Sequence, residues 1–173
     1  MGVQLSSSVA IGAAVCVLCL FGVACGPDVP DLECPDGTER VGSKPPTGLK
    51  EQCVDPNRKS VTGLPFKQGP VRHWWPSGRL RSEGEFNDDL PHGFFRWWFT
   101  NGKASAEGAY VNGKKHGMWT EWSYGGALAS KTPYKMGRID GTRTFFRTDG
   151  TVQRVYQYRG GVLVERPPKV RAQ

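Results

Sequence analysis

Glycine recurs in this chain at intervals of 24 residues, and this period constrains the fold more than any other feature of the sequence. One column of glycines consists of Gly78, Gly102, Gly126 and Gly150, and a second consists of Gly69, Gly93, Gly117 and Gly141. An aromatic residue precedes each member of the first column by four positions, at Trp74, Trp98, Trp122 and Phe146. Another follows each by eight positions, at Phe86, Tyr110, Tyr134 and Tyr158. Several columns in one register indicate four copies of a structural repeat over residues 69–165.

The copies contain two turn signals each, with examples in the SG and NG pairs after the first segment and the NG and RG pairs after the second. Such pairs between segments of six or seven residues are typical of β-hairpins, and segments this short do not form helices. The 23 glycines of the chain also favour turns and strands over helices. We therefore predict an all-β fold, an elongated antiparallel meander of repeated hairpins with about eight strands, in which neighbouring copies stabilise one another.

Period-two alternation sorts the side chains of each strand into two faces. In the first copy, Ser82 and Gly84 share a face with Phe86, and we expect the Trp74 ring to lie over these small residues. The predicted repeat core consists of Trp74, Leu80, Phe86, Trp98, Tyr110, Trp122, Tyr134, Phe146 and Tyr158. The aromatics that vary between copies alternate to the opposite face and form the predicted interaction face, unless a second layer covers it: Trp75, Trp97, Phe99 and Trp119.

Two consecutive segments, EGEFNDDLPHGFFRWWFTNG and EGAYVNGKKHGMWTEWSYGG, carry a family signature. They resemble MORN repeats, in the 24-residue variant of the bacterial YwqK-like antitoxin family. The matching positions in the second segment are Glu107, Gly108, Tyr110, Gly113, Gly117, Trp119, Trp122 and Gly126. In the fourth copy Val155, Tyr156 and Glu165 depart from the pattern, as in a terminal capping unit. The resemblance implies strings of hairpins that act as scaffolds, in protein interaction or in membrane association, and the family name suggests an antitoxin-like inhibitor.

An uncharged apolar run from Val9 to Ala24 precedes Cys25. The run is shorter than the roughly 20 residues that span a membrane and suits the apolar part of a signal peptide. With Ala24 before it, Cys25 resembles the acylated cysteine of bacterial lipoproteins, so residues 1–24 are predicted to be a lipoprotein-type signal peptide. The resemblance implies a membrane anchor through acylated Cys25 in the bacterial cell envelope, with the outer membrane favoured over the inner. An uncleaved signal anchor is the alternative, since no Lys or Arg precedes the run.

Cys34 and Cys53 remain once the signal peptide is removed and Cys25 is acylated. Two cysteines in an exported chain have one possible pairing, which predicts a Cys34–Cys53 disulfide. The bridge would constrain residues 25–68, a predicted linker and loop segment without apolar periodicity, and would contribute about 3 kcal/mol. A zinc site is the alternative, but zinc needs four ligands and no histidine lies nearby.

The segment NGKKHG has the glycines and lysines of a phosphate-binding loop, but MWTEW after it predicts a strand where such a loop requires a helix. Lys114 and Lys115 are therefore expected in a solvated turn. His92 and His116 are expected about 10 Å apart on neighbouring hairpins, too far for one zinc ion. His73 shares its column with residues of other types, so no metal site is predicted.

The formal net charge is +7, and the Lys and Arg residues are scattered and do not form runs, apart from a basic tail at residues 166–173. This distribution gives little support to nucleic-acid binding. No Ser or Cys has a plausible His and carboxylate partner, so we expect neither an enzyme nor a cofactor. The sequence predicts an exported, lipid-anchored scaffold or interaction module that binds an unknown protein or envelope component. An antitoxin-like inhibitor of a partner toxin is the alternative.

Overall fold

The computed structural model describes residues 29–165, which form one antiparallel sheet of twelve strands. Successive strands pair with each other, except that β10 follows β8 in the sheet and the short β9 pairs with β8 alone. The strands are β1 Glu39–Ser43, β2 Lys50–Lys59, β3 Pro65–Trp74, β4 Leu80–Asn87, β5 Leu90–Trp98, β6 Ala104–Val111, β7 Lys114–Trp122, β8 Leu128–Lys135, β9 Arg138–Ile139, β10 Gly141–Phe146, β11 Val152–Arg159 and β12 Val162–Glu165. The predicted all-β meander is confirmed.

Helices are absent from residues 29–165, and the described chain accordingly contains no apolar helix long enough to cross a membrane. The predicted signal peptide, the acylation site Cys25 and the basic tail 166–173 lie outside the described residues.

The four copies of the repeat are the hairpins β3–β4, β5–β6, β7–β8 and β10–β11. Between hairpins the chain reverses through two-residue turns, of which Asn112–Gly113 is an example with φ values of 47° and 77°. Positive φ at both positions belongs to the type I′ turn, whose twist matches that of the flanking strands. The amide of Gly113 also donates a 2.8 Å hydrogen bond to the carbonyl of Pro91 in the preceding copy. The amide of Gly137 donates an equivalent 2.8 Å hydrogen bond to the carbonyl of Lys115, so the turns join neighbouring copies.

The segment that contains the disulfide also belongs to the sheet. Cys34 and Cys53 are bonded, as predicted. However, the predicted loop contains β1 and β2, and β2 pairs with β3 of the first repeat. Cys53 is fully buried and Val54 is 1% exposed, so this end of the sheet holds some of the best-buried residues. The segment is a two-stranded cap on the repeat array.

Cross-strand register defines two faces of the sheet, since directly paired residues point to the same side. Phe95 pairs with Gly108, and Trp97 pairs with Ala106. We call this side the aromatic face. Arg96 pairs with Glu107 on the opposite side, which we call the polar face. All twelve strands of the described chain lie in this one sheet, so within residues 29–165 no second sheet covers either face.

Candidate interaction surface

Two aromatic rings on the aromatic face lie directly over glycines of the adjacent strand. A Cβ built on Gly84 would be 2.3 Å from Cδ1 of Phe95, and one built on Gly108 would be 2.4 Å from Cδ2 of Trp119. No side chain other than hydrogen fits there without movement of the ring. Gly84 and Gly108 are therefore required by close packing between successive copies.

These rings belong to a continuous aromatic array across five strands. Phe86 contacts Phe95 edge to face, with ring centroids 5.9 Å apart. Phe95 contacts Tyr110 at 5.2 Å, and Tyr110 contacts Trp119 at 5.1 Å, both edge to face. Trp119 then contacts Tyr134 at 6.1 Å. Edge-to-face pairs at these separations each contribute about 0.5–1.5 kcal/mol beyond burial, so the array acts as a core built on one face of a single sheet.

The predicted division of the aromatics between two faces is wrong. Trp119 is only 3% exposed, so it does not form part of an exposed interaction face. Trp97 is half-buried and lies 5.5 Å from Trp119, on the same side as Tyr110. The cause is a bulge between Trp97 and Trp98, repeated at the equivalent position of every copy, which breaks simple alternation along the hairpin.

The other two residues of the predicted interaction face lie at the hairpin turns. Trp75 donates an indole hydrogen bond of 3.1 Å to the carbonyl of Trp98, and the guanidinium of Arg81 lies 4.7 Å from the centre of its ring. The ring of Phe99 contacts that of Tyr124 at 5.3 Å. These contacts join the turn of one copy to the next copy, and both side chains are half-buried.

The predicted core residues differ in burial. Trp74 is 4% exposed, but its ring does not occupy the space over Gly84, which Phe95 fills instead. The other predicted core residues are half-buried: Leu80, Phe86, Trp98, Tyr110, Trp122, Tyr134, Phe146 and Tyr158. Sequence reasoning missed Phe95 and its column with Trp119, although the signal was present as an aromatic residue 11 positions after Gly84 and after Gly108.

Lys115 also departs from expectation, because it is half-buried on the aromatic face and is not solvated in a turn. Its Nζ atom lies 3.9 Å from the ring centre of Trp119 and 5.1 Å from that of Tyr134. Burial lowers the pKa of Lys115, Glu121 opposes this shift, and the positive charge of Arg143 adds to it. The ammonium group of Lys115 therefore lies over the last two rings of the aromatic array. Lys114 is exposed, as expected for a turn.

The polar face carries a row of alternating charges across neighbouring strands. Arg72 pairs with Glu83, with Nε and Oε2 3.9 Å apart, and Glu83 in turn pairs with Arg96 in the register of β4 and β5. The row continues where Nε of Arg96 donates a 3.1 Å hydrogen bond to Oε2 of Glu107. Exposed pairs of this kind contribute about 0–1 kcal/mol each, so the row adds specificity to the surface more than it adds stability.

Two large apolar side chains stand exposed beside this charged row. Phe94 is 51% exposed and Met118 is 52% exposed, and they occupy equivalent positions in successive copies. A shallow groove of about 270 Å³ lies next to Phe94, with Pro70, Arg72 and Arg96 in its walls. Exposed apolar area rimmed by charge is typical of an interaction surface.

The histidines do not converge on a common site. Nδ1 of His73 lies 3.1 Å from the hydroxyl oxygen of Ser82. Burial lowers the pKa of His73, and the nearby cations Lys50, Arg81 and Lys67 lower it further. The amide of Asn112 approaches Nδ1 of His92 at 3.5 Å. Within residues 29–165 no three His, Cys, Asp or Glu side chains are grouped as metal ligands.

Comparison with known proteins supports the repeat. Residues 67–88 match the family described as MORN repeat variant. This match covers β4 and most of β3, and it supports the resemblance to MORN repeats. No curated protein matches the chain.

Two of the solved structures that are similar to the chain are both of TarM. One is an S. aureus TarM mutant in complex with fondaparinux, alpha-GlcNAc-glycerol and UDP, and the other is described only as TarM. Each shares 10% identity with a TM-score of 0.32 over 76% of this chain. The chain spans about a fifth of TarM, that is 22% and 21% of the two TarM chains. A similarity this low supports no transfer of activity.

Proposed function

We propose that the protein is an exported, lipid-anchored repeat module that binds a protein or an envelope component through its polar face. Repeats of the MORN type generally take part in protein–protein or membrane interactions. The observation that carries the proposal is the exposed pair Phe94 and Met118 beside a row of alternating charges, on a sheet face that no second sheet covers within the described chain.

The two faces of the sheet differ in their contacts, and this difference supports the polar face as the binding surface. The rings of the aromatic face contact one another, so that face is occupied by its own core. On the polar face, the ring centre of Phe94 lies 5.4 Å from the guanidinium of Arg96, and the ring packs against no other aromatic ring of residues 29–165. A partner that covered Phe94 and Met118 would remove apolar area from water, and the charged row would fix its orientation.

The Cys34–Cys53 disulfide supports export, because disulfides persist in oxidising compartments such as the periplasm and the cell surface. Acylation of Cys25 would then hold the protein on a membrane leaflet, and we propose the outer membrane of the bacterial envelope as its location. In this proposal the protein is not an enzyme, needs no cofactor, and binds no nucleic acid.

Site-specific photocrosslinking in the native host tests the partner face. A photoreactive residue placed at Phe94 or at Met118 should capture the same partner. Val152 is a matched control, since it is 51% exposed but lies in the fourth copy, away from the groove. Capture from both polar-face positions and none from Val152 is the expected result. Equal capture from all three positions, or none from any, would contradict the proposal.

An antitoxin-like inhibitor is the second candidate, and it rests on the resemblance carried by the segment from Glu107 to Gly126. It requires a toxic partner and predicts that co-expression with this chain restores growth. A partner captured at Phe94 that is harmless when expressed alone would exclude this candidate and leave the scaffold proposal standing.

A further inference from the structure

The fourth hairpin carries a cavity on the aromatic face. Its volume is about 380 Å³, and its walls include Arg143, Phe145, Arg154, Tyr156 and Tyr158. Ligand pockets in proteins commonly have volumes of about 300–1,000 Å³. The cavity lies two strands beyond Lys115 and apart from the polar-face groove.

Two substitutions relative to the earlier copies create this cavity. Arg143 occupies the column that holds Phe95 and Trp119 in the second and third copies. Tyr156 occupies the column that holds Gly84 and Gly108 in the first and second. The two residues are directly paired across β10 and β11, at the position where the second copy pairs Phe95 with Gly108, so a guanidinium beside a phenol replaces a ring beside a glycine.

The guanidinium of Arg143 has donors without acceptors. Its Nε atom is buried and has no hydrogen-bond partner among residues 29–165, and no ion pair of Arg143 occurs in that range. The guanidinium carbon lies 4.5 Å from the ring centre of Phe145. A buried donor that lacks an acceptor destabilises a fold, and an anionic ligand would supply the acceptor.

A second cation points to the same ligand class. Arg154 pairs with Phe145 in the register, which places Arg154 diagonally across from Arg143, about 7 Å away along the sheet. No carboxylate lines the cavity. The nearest acid in the same cross-strand row is Glu121, which already accepts a 2.7 Å hydrogen bond from Ser130. The rings of Phe145 and Tyr156, 5.9 Å apart and edge to face, supply an apolar wall.

We propose that this cavity binds a small organic anion, in which a carboxylate or phosphate group engages Arg143 and Arg154 while a flat apolar part lies against Phe145 and Tyr156. The site is independent of the proposed partner face and of lipid anchoring, because it lies on the other side of the sheet and uses only residues of β10 and β11.

Titration of the purified full chain with phenyl phosphate, followed by NMR through the backbone amide resonance of Tyr156 in the cavity wall, tests this site. We expect a saturable shift, weakened about tenfold or more in Arg143→Gln and in Arg154→Gln, and unchanged in Arg159→Gln. Arg159 is an exposed arginine on β11 outside the cavity, so this control removes the same charge.

Benzoate should shift the same resonance, whereas phenol, which has the ring without the anion, should not. An equal loss of affinity in Arg159→Gln would show attraction to surface charge alone and overturn the proposal. No saturable shift with either anion, or binding only to vesicles of anionic lipid, would overturn it as well. Arg154 is exposed, so Arg154→Gln keeps the test valid should Arg143→Gln fail to fold.

Discussion

The indole ring of Trp119 lies over the backbone of Gly108, so close that a Cβ on Gly108 would be 2.4 Å from the ring. The indole N–H also donates a 3.1 Å hydrogen bond to the carbonyl of Ala109, next to that glycine. The third hairpin is thus fixed to the second through one residue pair. The same relation holds between Phe95 and Gly84 one copy earlier.

Replacement of Gly108 by alanine should therefore destabilise the fold, by about 1–3 kcal/mol, because the ring must move. Gly125→Ala is the matched control, since the nearest atom to its Cβ would be Oγ of Ser123 at 3.8 Å. Urea unfolding measures both. The loss caused by Gly108→Ala should shrink in a Trp119→Ala background, and a loss of equal size there would show that the ring is not the cause.

The turn between β8 and β9 offers a stabilising substitution. Met136 has a φ of 49° and is 44% exposed, whereas the equivalent residue of the preceding copy is Asn112. Asparagine tolerates this left-handed conformation better than methionine, so Met136→Asn should raise the free energy of unfolding by about 1 kcal/mol. The exchange in the other direction, Asn112→Met, should lower it. Shifts of the same sign in both variants would refute the turn argument.

His73 should make stability depend on pH. Burial lowers the pKa of His73 below its ordinary value of about 6.5, so the unfolded chain binds the proton more strongly than the folded one. Protonation of His73 therefore favours the unfolded chain. The free energy of unfolding should fall as the pH decreases from about 7 through 6.5 and below. His73→Gln should flatten this part of the profile of melting temperature against pH. An unchanged slope in the variant would show that other groups dominate.

Reduction of the Cys34–Cys53 bridge should weaken the cap on the repeat array. The bridge joins positions 19 residues apart, and loops of this size are stabilised by about 3 kcal/mol. Hydrogen exchange should therefore speed up first in β1 and β2 when the disulfide is reduced, while β5 to β8 stay protected. Uniform acceleration across all strands would mean that the cap and the repeats unfold as one unit.

The repeat period sufficed to predict the class of fold, because turn residues and strand lengths are local signals. The side of the sheet on which each aromatic ring lies could not be predicted from these local signals. Trp97 and Trp98 are adjacent and both apolar, and the bulge between them is set by pairing with β6. Strand β2 was missed for a related reason, since it contains charged residues and a proline and is held by β3 and the disulfide, which are not local in sequence.

The candidate sites show the same limit. The column of Phe95, Trp119 and Arg143 was visible in the sequence, but its meaning depends on which glycine each side chain covers. Arg143 lies within a copy that the sequence marked only as a divergent, capping unit. The cavity beside it arises from cross-strand pairing with Tyr156, which alignment of the copies alone does not give.

The intact mass of the mature protein, isolated from its native host, tests the central claim of export and lipid anchoring most directly. The proposal predicts the loss of residues 1–24 and the added mass of acyl chains on Cys25, with both absent in Cys25→Ser. An unprocessed N-terminus on the native chain, without added mass, would contradict it.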